Sequence, residues 1–600
     1  MASAGHSDTT IAWGGLRSRR HHGIAHGAAA AVLEADSVWA VVAALAAVAT
    51  TLWAFGGADM LTGRPVKFTG DAVFHYALAK MVLEDSWTWH SSRLGAPFGS
   101  TMAAFGVGLP VESALMNVLA LSTDDAITLL NRTWVLLVGL AAMSGHAAFR
   151  LLGLPRSAAL VCGCLFATGP CVLLRHVAHF NLHCSFVPLP MAAAVLVAGG
   201  GIAGLRPRTF ALVCLGCLLA GLGYVYYPFF HALVLAFALG LAWLTGRRDG
   251  LRRGLACLLV LLVAAAANLA PTLVARAREG SGPAVDLKHP AEADIFALRL
   301  RDLIVPAGTS LIPPLAAIGR RVEAIDWPLT NENRHAKLGL IGSLGFLVGL
   351  AALAGYRPPV PPELDSATRA AASLTLFLVL LAVAGGFGSL FNALVSPQIR
   401  CYNRVAPLLL FLALLISGGC LTRMLRGLRP AARGCVWAMV LAFGVVEQNV
   451  EAKTRSLAAG AREERAVLEP FVRSLEASLP PAANICMLPF TPFPGDGGSG
   501  RMEPYDHAKP WLFSARVRWS WPVFGSRHVS LVAACGDPAT PGFVGRLRRA
   551  GYSHVWLDMH GRPEEVEPIQ QAIDATVATP PQTDSRGRYR VYDLSAVPAG

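Results

Sequence analysis

Apolar runs long enough to cross a bilayer recur along this chain, and they limit its fold more than any other feature. A helix needs about 20 mostly apolar residues to span hydrocarbon. Residues 254–274 form one such run, and at about 1.5 Å per residue it covers roughly 30 Å. Spans are expected at 38–56, 126–149, 157–175, 184–204, 209–224, 229–245, 254–275, 337–356, 370–388, 405–422 and 434–450. Only 15 % of the 600 residues are charged, against roughly 25 % in an average globular protein. The first run follows Arg17, Arg19 and Arg20. It is longer than a signal-peptide core, so it reads as an uncleaved membrane helix.

The net charge is +13, which in another setting would suggest nucleic acid. Here the cations sit in short loops between apolar runs, where they face anionic headgroups. Arg150 and Arg156 share one loop, and Arg206 and Arg208 a second. Arg247, Arg248, Arg252 and Arg253 share a third, and Arg423, Arg426, Arg429 and Arg433 a fourth. With eleven spans and a cytoplasmic N-terminus, all four loops fall inside, as the positive-inside rule requires. Membrane lipids are therefore expected partners, and nucleic acid is not.

The expected fold class is a polytopic α-helical membrane protein with a small extracytoplasmic α/β C-terminal domain. It divides into a cytoplasmic segment 1–37, a membrane domain 38–450 with outer loops 57–125 and 276–336, and the tail 451–600. Segment 103–122 is apolar but carries Gly106, Gly108, Pro110 and Glu112. Counting it as a span would invert every later loop, so it is expected to lie against the outer surface. In the tail, helices are expected at 462–479, 542–550 and 564–577, and strands at 485–490, 528–533, 554–559 and 589–594. Ten of the twelve cysteines lie in or beside apolar runs and read as small hydrophobes. Cys486 and Cys535 lie in the tail, where a disulfide between them stays open.

The candidate site residues cluster outside. Asp71 follows Gly70 where a helix begins. It reads as a helix cap or as a general base, and His75 lies one turn later on the same face, where the two could grip a hydroxyl acceptor or a metal. Arg93 opens the tight loop 93–99 and suits phosphate oxygens or loop ordering. Glu112 is costly in an apolar segment unless it is paired or hydrated. His176, His179 and His183 would share one face if the helix continued, and could then ligate a divalent metal or contact polar substrate. Among the aromatics of 224–230, Tyr227 is the candidate, although interfacial belts also use tyrosine. Arg400, Tyr402 and Arg404 precede a span on the outer face. Cations there suggest an anionic partner such as a lipid-linked phosphate, or an ion pair with another loop. There is no P-loop.

Gly70-Asp71, residues 93–99, the His176/His179 region and residues 399–404 resemble bacterial GT-C membrane glycosyltransferases of the YfhO type. Segments 551–558 and 588–593 are similar in style to the tails of that group. The paired acidic motif of the class is not present, because Asp71 stands between Gly70 and Ala72. The resemblance implies a sugar donor linked to polyprenyl phosphate and a glycan, lipid or polymer acceptor of the cell envelope. It implies Asp71 as base and Arg93, Arg400 or Arg404 on the leaving phosphate, at the bacterial inner membrane. A transport or non-catalytic component of envelope polysaccharide assembly is the other reading.

Overall fold

The computed structural model describes residues 37–598 apart from 107, 280–287, 326–331, 492, 494–497, 523–534 and 539. Helices dominate. In chain order, the main helices ahead of the tail are α1 (Ser37–Ala54), α2 (Asp71–Asp85), α3 (Pro110–Ala120), α4 (Ala126–Leu151), α5 (Arg156–Ala167), α6 (Pro188–Gly199), α7 (Pro207–Gly221), α8 (Tyr226–Leu244), α9 (Leu251–Glu279), α10 (Gly339–Leu353), α11 (Asp365–Ala382), α12 (Ala406–Met424) and α13 (Pro430–Glu447). A short turn, Pro170–Leu173, prolongs α5. Each expected apolar run is a helix. Among the described residues, eight helical stretches are long and apolar enough to cross a membrane, and α6, α7 and α10 are shorter apolar helices.

Burial separates an inner from an outer ring. The apolar windows of α4 and α12 are 78 % buried, whereas those of α1 and α13 are 22 % and 17 % buried. Leu45, Val263 and Met439 point outward, an arrangement that suits lipid and not water. Inner helices approach closely where side chains vanish. A Cβ on Gly345 of α10 would stand 2.0 Å from the Ala413 carbonyl of α12, so only glycine fits that crossing.

Two short strands, β1 (His90–Ser91) and β2 (Ser100–Thr101), belong to the first outer loop. The tail begins with α14 (Glu451–Ser478). Its described strands are β3 (Asn484–Leu488), β4 (Arg518–Trp519), β5 (His554–Asp558), β6 (Gln582–Thr583) and β7 (Tyr589–Asp593). They form one sheet in the order β4-β3-β5-β7-β6. Strands β4, β3 and β5 are parallel, and β7 runs antiparallel to β5 and β6. Side chains alternate between faces. Cys486, Leu488, Val555 and Leu557 pack under α15 (Phe543–Arg549) and α16 (Pro563–Asp574). Ile485, Met487 and Trp556 turn to the other side, into the core that also holds Leu468 and Val472 of α14. Cys486 and Cys535 are both buried free thiols. The strand expected at 528–533 lies outside the described residues.

Loop 57–125 and the tail are stitched together. Trp519 N–H donates to the Arg93 carbonyl (2.7 Å), Ala96 N–H donates to the Trp519 carbonyl (2.9 Å), and Leu94 pairs in parallel with Trp519. Residues 93–96 thus cover the β4 edge. Gly95 adopts φ +65°, and a Cβ there would stand 2.7 Å from the Gly99 carbonyl, so the turn requires glycine. Arg93 precedes α3 and Asp125 follows it, yet Arg93 bonds Ser514 and Asp125 bonds Arg465 of the tail. Both flanks of α3 therefore lie on one side. At eleven residues, α3 is about 16 Å long.

Candidate functional site

Helix α2 sets the first part of the site. Gly70, at φ +57°, is its cap residue, and Asp71 is its first helical residue with no cap bond from its side chain. Asp71 is thus not the cap that the sequence suggests. Ala72 through Ala79 are all buried, while Asp71 is exposed. A carboxylate at a helix N-terminus is favoured by the free N–H groups there. His75, one turn on, is buried against Phe180 at 6.0 Å between ring centres, and neither ring nitrogen has a hydrogen-bond partner. Burial first, and neighbouring His179 second, push its pKa down to about 3 against a small opposing effect of the backbone at Asp71 and Ala178.

The expected helical face of three histidines does not form. Residues His176–Leu182 make a 3₁₀ segment broken at His179, where φ is −124° and ψ 47°. The break sends the imidazoles to different partners. His176 is buried edge-on to Phe55, 6.4 Å between centres. His179 Nε2 lies 3.5 Å from Glu332. His183 pairs with Glu112, which is fully buried. Ser185 spends its proton on the Leu137 carbonyl (2.7 Å), so His183 Nδ1–H is the donor to Ser185 (3.0 Å). Among the described residues no group of three or more His, Cys, Asp or Glu is placed to hold a metal ion.

Glu332 is a hub that sequence reasoning missed. Arg404 donates to it through Nε (3.1 Å) and Nη2 (2.6 Å), and Arg175 through Nη1 (2.7 Å). Burial would raise the Glu332 pKa, but Arg404 and Arg175 outweigh it and hold the carboxyl well below its usual range. The Arg404 guanidinium lies 4.4 Å over the Tyr226 ring, a cation–π contact. Arg400 pairs with Glu292 (2.9 Å) and lies over Phe296. Tyr402 donates to Asn392 (2.9 Å). Arg400 and Arg404 therefore meet carboxylates from loop 276–336.

Tyr227 is a packing residue, buried and donating to the Leu182 carbonyl (3.1 Å). Its neighbour Tyr224 is half-buried in the turn between α7 and α8. Burial raises the Tyr224 hydroxyl pKa, Arg404 and Arg400 lower it, and Asp71 raises it. One hydroxyl thus feels the α2 carboxylate and both arginines. The available signal was its place at the start of the aromatic run, in an outer turn of a few residues.

Arg93 stands apart from this group. It pairs with Glu84 at the far end of α2, donates to Ser514 Oγ (2.7 Å) and to the Val517 carbonyl (3.1 Å), and so ties α2 to the tail. Glu476 shapes that receiving loop by accepting from Ser514 Oγ (2.9 Å) and from the N–H groups of Ala515, Arg516 and Val517.

No protein-family model and no curated protein matches this chain. Solved structures similar to it over most of its length include arabinofuranosyltransferase AftD from Mycobacteria, at 17 % identity and TM-score 0.49 over 94 % of this chain. ArnT from Cupriavidus metallidurans, bound to undecaprenyl phosphate, gives 14 % and 0.48 over 94 % of this chain and 99 % of its own. The archaeal oligosaccharyltransferase AglB from Archaeoglobus fulgidus, in complex with an inhibitory peptide and a dolichol-phosphate, gives 12 % and 0.44 over 93 % of this chain and 74 % of its own. The chain spans 42 % of the length of AftD.

Proposed function

We propose that this chain is a membrane glycosyltransferase of the GT-C kind, which moves a sugar from polyprenyl phosphate to an envelope acceptor on the outer face. The observation that carries the reading is Asp71. It is an exposed carboxylate at the start of an otherwise buried outer-face helix, and it acts on the same tyrosine hydroxyl as Arg400 and Arg404. In this reading the chain crosses the membrane eleven times with its N-terminus in the cytoplasm and residues 451–600 outside. The stitching of residues 93–125 to the tail supports that parity, since ten apolar helices separate them.

The chemistry then follows from the residues. The acceptor hydroxyl gives its proton to an Asp71 oxygen while its oxygen attacks the anomeric carbon. The bond from that carbon to the phosphate oxygen breaks, and polyprenyl phosphate leaves with the electron pair. The positive field of Arg400 and Arg404, which are themselves held by Glu292 and Glu332, stabilises the charge on the phosphate. His75, buried and neutral, packs α2 and takes no part in proton transfer. The test is reconstitution with a radiolabelled polyprenyl-phosphate sugar. Transfer to an acceptor that is lost in Asp71→Asn, with insertion unchanged, supports the enzyme. Undiminished transfer by that variant rules the mechanism out, and movement across liposomes without transfer points to a transporter.

A further inference from the structure

Arg175 is 2 % exposed, and only one of its three guanidinium nitrogens is used. Nη1 holds Glu332, while Nε and Nη2 are buried with no hydrogen-bond partner among the described residues. Those two nitrogens form one edge of the guanidinium plane. Their parallel N–H groups match two oxygens of a phosphate or carboxylate. Leaving them unfilled in a buried place costs more than a typical hydrogen bond returns. Among the described residues, Glu332 is the carboxylate that faces both Arg175 and Arg404.

Arg175 lines a pocket together with His176, His179 and His183, with about 280 Å³ of empty space, part of it open solvent. The pocket changes character with depth. Its remaining wall includes Trp134, Leu137, Val138 and Ala141 of α4. Eight residues of helix, seven steps of about 1.5 Å, make that wall about 10 Å tall, starting about 12 Å below the Ala126 end of α4. A polar rim of one guanidinium and three imidazoles thus sits over an apolar slot inside the membrane region. A soluble anion would use the rim and waste the slot, whereas a phosphorylated lipid would use both.

We propose that the Nε/Nη2 edge of Arg175 is the seat of the lipid-borne phosphate, with the first units of the hydrocarbon chain running down the Trp134–Ala141 wall. Glu332 positions that edge by fixing Nη1. Arg400, Arg404 and Arg93 are spent on carboxylates and supply field and scaffolding only. This deepens the transferase reading and rests on it for the sugar that the phosphate carries, although not for the binding itself.

The experiment uses the full chain in lipid nanodiscs, titrated with undecaprenyl phosphate, with undecaprenol and with inorganic phosphate. Trp134 supplies the readout, as the fluorescence change lost in Trp134→Phe. The expected result is saturable binding of undecaprenyl phosphate, with undecaprenol and inorganic phosphate each weaker by about tenfold or more. Arg175→Lys keeps the charge but loses the fork, and weakens binding by a similar factor. Val138→Phe fills the slot without touching a charge, and weakens the lipid but not inorganic phosphate. Wild-type binding by both variants overturns the seat. Inorganic phosphate binding as tightly as the lipid overturns the lipid assignment. Arg175-dependent binding without any transfer removes the transferase reading and leaves the seat standing. Transfer that is indifferent to Arg175→Lys does the reverse.

Discussion

Arg465 on α14 donates to Asp125 (3.1 Å), and Asp125 is itself the N-cap of α4, accepting from Thr128 N–H (2.8 Å). One carboxylate thus starts a long apolar helix and anchors the tail. A cysteine introduced at Ser122, beside that cap, is expected to react with an impermeant maleimide added from outside. Protection there, with reaction only after permeabilisation, would mean that α3 crosses the membrane and would invert the whole arrangement.

Asp71→Asn should cut transfer by about a hundredfold or more, the usual yield of a positioned base. Because Asp71 is exposed, its removal should change stability by no more than about 0.5 kcal/mol. Initial rates and a thermal midpoint on the same preparation separate the two effects. A large fall in midpoint would reassign Asp71 to structure.

His75 imposes a pH dependence on folding. Unfolded, it takes a proton near its ordinary 6.5; folded, it does so only near 3. The unfolded chain binds more protons between those values, so this contribution to stability is complete above 6.5 and falls as pH drops toward 3. The slope is up to about 1.4 kcal/mol per unit. His75→Phe should flatten the fall in thermal midpoint between pH 7 and 5. An unchanged slope would show that the imidazole reaches water.

Arg93→Ala should loosen the tail. Burial draws Glu84 up and Arg93 down, and each is opposed by the other's charge. Removing the cation leaves the largely buried Glu84 carboxylate to Lys80 (3.4 Å) and strips Ser514 and the Val517 carbonyl of a donor, at a cost of about 1–3 kcal/mol. The first sign should be faster proteolysis within 451–600. Proteolysis at the wild-type rate would show that strand pairing alone holds the tail.

The membrane helices were legible because each is a long apolar run bounded by arginine or by Gly and Pro. Glu112 was legible as a carboxylate out of place, and its partner His183 lies in another of the stretches the sequence marks. The pairings of Arg93, Arg400 and Arg404 were not. Their acceptors lie as far as 424 residues away, as with the Val517 carbonyl, and one-dimensional spacing carries no trace of them. The histidine face failed for a local reason, since three imidazoles at helical spacing share a face only if the helix continues past His179. Tyr227 and Tyr224 differ in what surrounds their hydroxyls, which a shared aromatic run conceals.

The pairing of residues 93–96 with β4 spans some 424 positions of sequence. During synthesis, the first loop emerges long before its partner strand exists. Every later passage through the bilayer is completed while that edge waits, and an uncovered strand edge invites pairing with other chains. Closure of the sheet is therefore the last event of assembly, and it reports on all the earlier ones. A chain with one apolar helix misinserted would deliver its tail to the wrong compartment and leave the edge open. The same stitch that fixes α2 thus also makes correct insertion readable on the face that carries the tail.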